Sequence, residues 1–321
     1  MNKIKLFNIF YNKNKKTLFW FSLIIFILFF IVFNFLPFLY TIDKSFRVYS
    51  PIDKINYTHG IENFLSIFND NQFKIATRNS TLLFFIATPL SLVISLFLAL
   101  VIFSLSSKLS KNIWITTIYS QFFVSSFAIG ITFSYLFGEK NIAFKYFFNS
   151  DKSFVGEPRI DIIWLYLIFQ LWRSIPFNTV LFVFSIQRSH NTYEKNIKID
   201  NLSLYDKIKI VYFKEINHTL ATIFITNLIF SFFLFPPAII DANLERISGH
   251  TLSSYIYGKI IPLDGSINLD FAKASAASVI SIIYILFLLL IFFMLKPKNI
   301  KKFFYWVRRI NVFYKNNKRI S

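Results

Sequence analysis

Arg173 is the one charge deep in an apolar run of this sequence, and Gln170 lies one helical turn from it. Asn178 follows on the same run, and Asn227 sits on the next. A guanidinium in hydrocarbon costs at least ~2.5–3.5 kcal/mol on insertion scales, so Arg173 must face protein or water. Two roles fit. In one, Gln170, Arg173, Asn178 and Asn227 line a polar path, and Arg173 meets an anionic or hydroxyl-rich solute. In the other, Arg173 hydrogen-bonds helix ends or a partner subunit and only holds the structure.

Other chemistry lacks its residues. The nearest fragment of a phosphate-binding Gly-x-x-x-x-Gly-Lys-Ser/Thr loop is Gly258–Lys259, but positions 253 and 260 are Ser and Ile. The chain therefore has no P-loop and needs no cofactor of its own. His59, His190, His218 and His250 are scattered at loop positions without metal-ligand spacing. There is no cysteine, which excludes disulfides and thiolate catalysis. No Asp or Glu lies deep in an apolar run; Asp161 sits at the end of one. A proton-driven carrier needs such a carboxylate as relay, and a membrane enzyme needs His or carboxylate clusters at one interface.

The elements that must position these residues are long apolar segments. The 321-residue chain is 55% apolar with a mean hydropathy of +0.52. That level is rare for a domain whose surface faces water. Six segments are long enough to cross ~30 Å of hydrocarbon: Leu18–Tyr40, Thr81–Leu105, Ile113–Phe137, Ile160–Ile186, Leu220–Ile239 and Ala272–Leu295. The expected fold is an all-α, polytopic bundle of six spans. Its parts are a tail at 1–17, a membrane domain at 18–295 and a basic tail at 296–321. The first run is too long for a signal peptide and lacks a small-residue cleavage site, so it reads as a retained span. Pro89, Pro176 and Pro236–Pro237 fall within or at the ends of segments, where they kink helices.

The net charge is +19, with basic residues at the ends of the apolar runs. That pattern fits topology and anionic lipid, not nucleic acid. One side of the six-span arrangement carries 22 basic residues and the other 11. The richer side is expected to be cytoplasmic, with both termini inside. It includes the segment 187–219, whose Ile197, Leu204, Ile208 and Val211 recur at helical spacing. Two short helices on the membrane face, offered to a soluble partner, are expected there.

Four stretches together resemble a family. Gly60-Ile-Glu-Asn-Phe64, Phe73, Asn79 and Pro89-Leu-Ser-Leu92 are similar to the second-span region of carbohydrate-type ABC permeases. Leu171-Trp172, Pro176-Phe177 and Gln187 resemble their fourth span. Asp200, Asn201 and Val211 sit where the cytoplasmic loop carries its Glu-Ala-Ala…Gly signature. Thr251-Leu252, Tyr255-Ile256-Tyr257 and Ala274-Ser-Ala-Ala-Ser278 resemble the last outer loop and span. The chain looks like the membrane subunit of maltose, multiple-sugar and glycerol-3-phosphate importers, of type I, from about Leu18 to Leu295.

The resemblance implies a second homologous permease subunit, two cytoplasmic ATPases that bind the ATP, and an extracellular solute-binding protein. It also implies that Tyr193, Glu194, Lys195, Asn196, Ile197, Asp200 and Asn201 form the ATPase-coupling loop. The signature is degenerate. Lys195 holds the Glu position, Asn196 and Ile197 the Ala positions, Asn201 the Gly position and Lys214 the later Pro position; Glu194 fits if the register slips by one. Asn tolerates a left-handed backbone better than other non-Gly residues, so Asn201 keeps the turn. An ion-coupled carrier acting alone is the alternative, and an integral membrane transferase ranks below it. Intramembrane carboxylates and inverted repeats, expected of such a carrier, are both missing.

Overall fold

The computed structural model describes residues 2–50, 55–138, 141–261 and 269–294. In chain order its elements begin with helix α1 (Asn2–Phe30), a π-helical stretch (Ile31–Phe35) and α2 (Leu36–Ser45). A short antiparallel ribbon of β1 (Arg47–Tyr49) and β2 (Tyr57–His59) follows, then α3 (Glu62–Asn69) and α4 (Asn71–Ser104). Next come α5 (Lys108–Ser120), a 3-10 turn (Gln121–Phe123), α6 (Ser126–Phe137) and α7 (Ile142–Phe148). Then α8 (Ile163–Ile199), α9 (Leu204–Asp206), a π stretch (Lys207–Tyr212) and α10 (Phe213–Phe232). The 3-10 turn Pro236–Ala238, α11 (Leu252–Ile260) and α12 (Phe271–Met294) complete the order.

The chain divides into two units. One comprises Met1–Asn69 and Asp270–Phe287. Its continuous helix Lys16–Ser45 leaves Leu18, Phe19, Phe21 and Phe26 between 59 and 72% exposed. Apolar side chains exposed all round a helix read as lipid-facing. At its end the ribbon is pinned by Asn63, whose Nδ2 donates to the carbonyls of Ser45 (3.1 Å) and Arg47 (2.9 Å).

The other unit comprises Asp70–Leu269 and Leu288–Ser321 and is centred on α4, α8 and α10. Helix α4 buries Ala76, Ser80, Ala87, Ser91, Ser95 and Ala99 at spacings of four or seven, each at 0 or 1% exposure. Lipid tails are as apolar as leucine, so membrane helices associate through close backbone approach and polar contacts. A stripe of Ala and Ser permits both. Larger side chains fill the two ends. Leu83, Phe154, Tyr166, Leu234 and Ile247 form one cluster, and Ile102, Phe182, Ile186, Ile197 and Tyr212 the other.

Several expected boundaries change. Among the described residues, four helices are long and apolar enough to cross a membrane: Lys16–Ser45, Asn71–Ser104, Ile163–Ile199 and Phe271–Met294. A fifth is made if Lys108–Phe123 and Phe127–Phe137 count as one span broken by an 85° bend. The third segment, expected as one run from Ile113, is thus a bent pair. The segment expected at Leu220–Ile239 is helical only to Phe232, because Pro236 and Pro237 lack the donors a helix needs. Helix α10 begins at Phe213 and carries Glu215, Asn217 and His218 near its start, which lowers its apolar content. Helix α8 runs past Ile186 to Ile199, so the start of the 187–219 segment is one rigid helix and not a separate short one. No Gly or Pro interrupts residues 187–200. The basic tail 296–321 lies outside the described residues.

Candidate functional site

A polar centre holds α4, α8 and α10 together. Asn178 on α8 donates through Nδ2 to Ser91 Oγ of α4 (3.2 Å) and to Asn227 Oδ1 of α10 (3.3 Å). Asn227 Nδ2 donates to the same Ser91 Oγ (3.3 Å). Two turns above, Gln170 Nε2 donates to Ser231 Oγ (3.3 Å). All five side chains are 0 or 1% exposed. Buried amides need partners, and here each finds one on another helix. Gln170, Asn178 and Asn227, expected on a polar path, therefore lie within the packed centre of this chain. Ser91 was not singled out, although its four-residue spacing from Ala87 and Ser95 marks the same buried stripe.

Arg173 points elsewhere. Its guanidinium lies over the Phe230 ring, with Cζ 4.0 Å from the ring centroid. None of the ion pairs among the described residues includes Arg173. Beside it opens a pocket of about 210 Å³, lined by Gln121, Phe122, Val124, Trp172, Arg173 and Pro176. Its outer wall is the break between α5 and α6. Phe122 stacks on Phe177, which meets Phe230 edge-on. Gln121, also missed in the sequence, has a specific task. Pro176 has no N–H, so the carbonyl four residues earlier, on Trp172, loses its helical donor. Gln121 Nε2 donates to that carbonyl at 3.3 Å. Across the break, Gly130 of α6 lets the chain approach the Pro236–Ala238 turn. A Cβ on residue 130 would overlap the Ala238 carbonyl oxygen.

At the far end, α8 terminates in an exposed elbow. Leu202 N–H bonds the Ile197 carbonyl (3.3 Å) and Asp200 N–H that of Asn196 (2.9 Å). Asn201 between them has φ 44°, the left-handed cap of a Schellman motif. Glu194, Lys195, Asn196, Asp200 and Asn201 are exposed, and Glu194 pairs with Lys198 at 2.7 Å. Tyr193 is half-buried. Ile197 turns inward. Expected near a partner contact, it is 6% exposed and packs into the chain's own core with Val211 and Tyr212. The apolar groups that project from the elbow are Ile199 (81% exposed) and Tyr205 (68%).

The segment after α10 is locked to α4. Asn79 Nδ2 donates to the carbonyls of Ser248 (2.8 Å) and His250 (2.9 Å). Thr251 caps α11 in a capping box with Ser254 and donates to Leu234 O (2.7 Å). Tyr255 Oη donates to Asp70 Oδ2 at 2.6 Å, and Lys259 Nζ lies 3.3 Å from the same oxygen. Burial alone would raise the Asp70 carboxyl. The Tyr255 hydroxyl, the Gln72 amide and the Lys259 ammonium outweigh it and hold the group below the usual carboxylate range.

No protein-family model matches the chain. It is 25% identical over 259 residues to a probable ABC transporter permease of Mycoplasma genitalium, covering 78% of this chain and 76% of that protein. A homologue of that permease in Mycoplasma pneumoniae is 23% identical over 236 residues, covering 71% and 72%. Among solved structures, a chain of a bacterial ABC transporter involved in the import of the acidic polysaccharide alginate superposes with a TM-score of 0.66 at 16% identity, over 88% of this chain and 96% of that one. A bacterial alginate ABC transporter in complex with an alginate pentasaccharide-bound periplasmic protein gives 0.67 at 17%, over 90% and 97%. The homologues of this multi-pass helical membrane chain are thus ABC transporter permeases, which are transport proteins and not enzymes.

Proposed function

We propose that this chain is the membrane-spanning permease subunit of an ABC importer of the carbohydrate type. Six spans of the type I arrangement place both termini in the cytoplasm. A second homologous permease completes the pathway, and an extracellular binding protein delivers a sugar or glycerol-phosphate-like solute. Two ATPases bind and hydrolyse the ATP, and this chain binds none. The elbow at 193–205 couples their closure to alternating access.

The observation that carries this reading is the elbow itself. A helix of 37 residues ends in a Schellman turn that presents Ile199 and Tyr205 to solvent. Anchors that dominate an interface are apolar or aromatic groups of this kind. The permease relatives and the alginate-transporter fold support the importer assignment. Single cysteines at 195, 199 and 205, in a chain with none of its own, test it by cross-linking to the ATPase in membranes. A cysteine at Lys108 is the control. Cross-links from 199 and 205 are expected; cross-links only from 108 in an active complex would overturn the coupling role.

A further inference from the structure

We infer that the pocket beside Arg173 is an anion-recognition subsite, taking the carboxylate or phosphate end of a solute. The inference rests on the importer reading and adds the chemical class of its cargo.

Three observations converge. First, Arg173 is half-buried within an apolar helix, and no carboxylate among the described residues pairs with it. A partly desolvated cation without a counter-ion is destabilised, and an arriving anion offsets that cost. The Phe230 ring covers one side of the guanidinium and stabilises it only in part. Second, the group borders a real void. Its volume of about 210 Å³ lies below the ~300–1,000 Å³ of sites that enclose a drug-sized ligand, so it holds one end of a solute. Third, its walls combine Arg173 with the apolar side chains of Phe122, Val124 and Trp172, and Gln121 is already engaged with Trp172 O. Charge selectivity at this place therefore falls to Arg173, whose planar donors match a carboxylate or phosphate in two-point contact. A neutral polyol gains nothing from the charge.

The test uses the full chain in membranes containing the assembled importer. Val124→Cys places the sole thiol on the pocket wall. Its reaction rates with anionic sulfonatoethyl and cationic trimethylammonioethyl methanethiosulfonate are compared, each normalised to an Ile55→Cys reference. The anionic reagent is expected to gain at least about tenfold, as a desolvated unit charge nearby would give. Arg173→Gln should abolish the preference, and Arg173→Lys should restore part of it. Galacturonate or glycerol phosphate should slow the labelling, whereas galactose and glycerol should not; which anion protects separates carboxylate from phosphate. Phe122→Cys gives a second wall position if Val124→Cys fails to accumulate. The proposal is overturned by equal rates for the two reagents, by no labelling at either position, by a preference that survives Arg173→Gln, or by the absence of anion-specific protection. Equal rates would mean that a partner subunit already supplies the counter-ion. Co-purification of the ATPase with the chain from the same membranes tests the importer reading separately.

Discussion

The side-chain amide of Gln121 donates to the carbonyl of Trp172, the one that Pro176 deprives of its helical donor. The proline site in α8 and the break after α5 are therefore two halves of one feature. Removing Gln121 leaves a carbonyl unpaired in an apolar setting, at a cost of about 1–3 kcal/mol. Gln121→Leu should lower the unfolding temperature of the detergent-solubilised chain. In a Pro176→Ala background the restored N–H serves the carbonyl, and Gln121→Leu should then be nearly neutral. Equal destabilisation in both backgrounds would sever the link.

The Ser91–Asn178–Asn227 centre should behave as a unit. Interhelical hydrogen bonds in membranes average about 0.6 kcal/mol by double-mutant cycles. Asn178→Leu strands two partners and should cost on the order of 1–3 kcal/mol. Combining it with Asn227→Leu should cost clearly less than the sum of the single changes. Strict additivity in thermal unfolding would show that the residues act independently.

Asp70 makes stability depend on acidity. Its folded carboxyl titrates below the usual range, so its contribution is complete above the unfolded value of about 3.9. It is lost as pH falls through that value and towards the lower folded one. The melting temperature of the native chain should drop more steeply than that of Asp70→Asn when buffers are stepped down from pH 5. Tyr255→Phe should weaken the acid sensitivity. Parallel pH curves for native and Asp70→Asn would contradict the assignment.

At the elbow, fold and coupling should separate by position. Ile197→Asp buries a charge in the core and should deplete the folded chain from membranes. Ile199→Asp and Tyr205→Asp alter exposed groups, so they should accumulate normally yet lose solute-stimulated ATP hydrolysis in the assembled importer. Asn201→Gly keeps the left-handed turn and should be silent, whereas Asn201→Val should destabilise. Normal coupling in both Asp variants at 199 and 205 would place the contact elsewhere.

Orientation is open to direct measurement. A membrane-impermeant thiol reagent added to intact cells should label Lys152→Cys and leave Asn201→Cys untouched. The reverse pattern would invert the topology.

Much of this was legible in the residues. Apolar run length located the helices, since crossing hydrocarbon demands it. The left-handed turn at Asn201 followed from the tolerance of asparagine. Breaks were harder. Gln121–Phe123 reads as more apolar helix, and only the partner carbonyl on Trp172 explains why a polar residue sits there. Polar residues on one run also looked alike. Gln170 and Asn178 turn into the bundle while Arg173, one turn from Gln170, opens to a pocket. Periodicity around a single helix cannot separate these faces when the neighbours are unknown. Ile197 carries the same ambiguity: an apolar residue near an exposed turn serves the chain's own core as readily as a partner.

The close approach at Gly130 also bears on inheritance. Glycine has the smallest side chain there is, so every missense change in its codon adds bulk against the Ala238 carbonyl. Most positions in an apolar helix drift freely among Leu, Ile, Val and Phe. At residue 130 no neutral neighbour exists one nucleotide away. Substitution there should persist only when the backbone of the Pro236–Ala238 turn shifts with it, tying the histories of two segments more than a hundred residues apart.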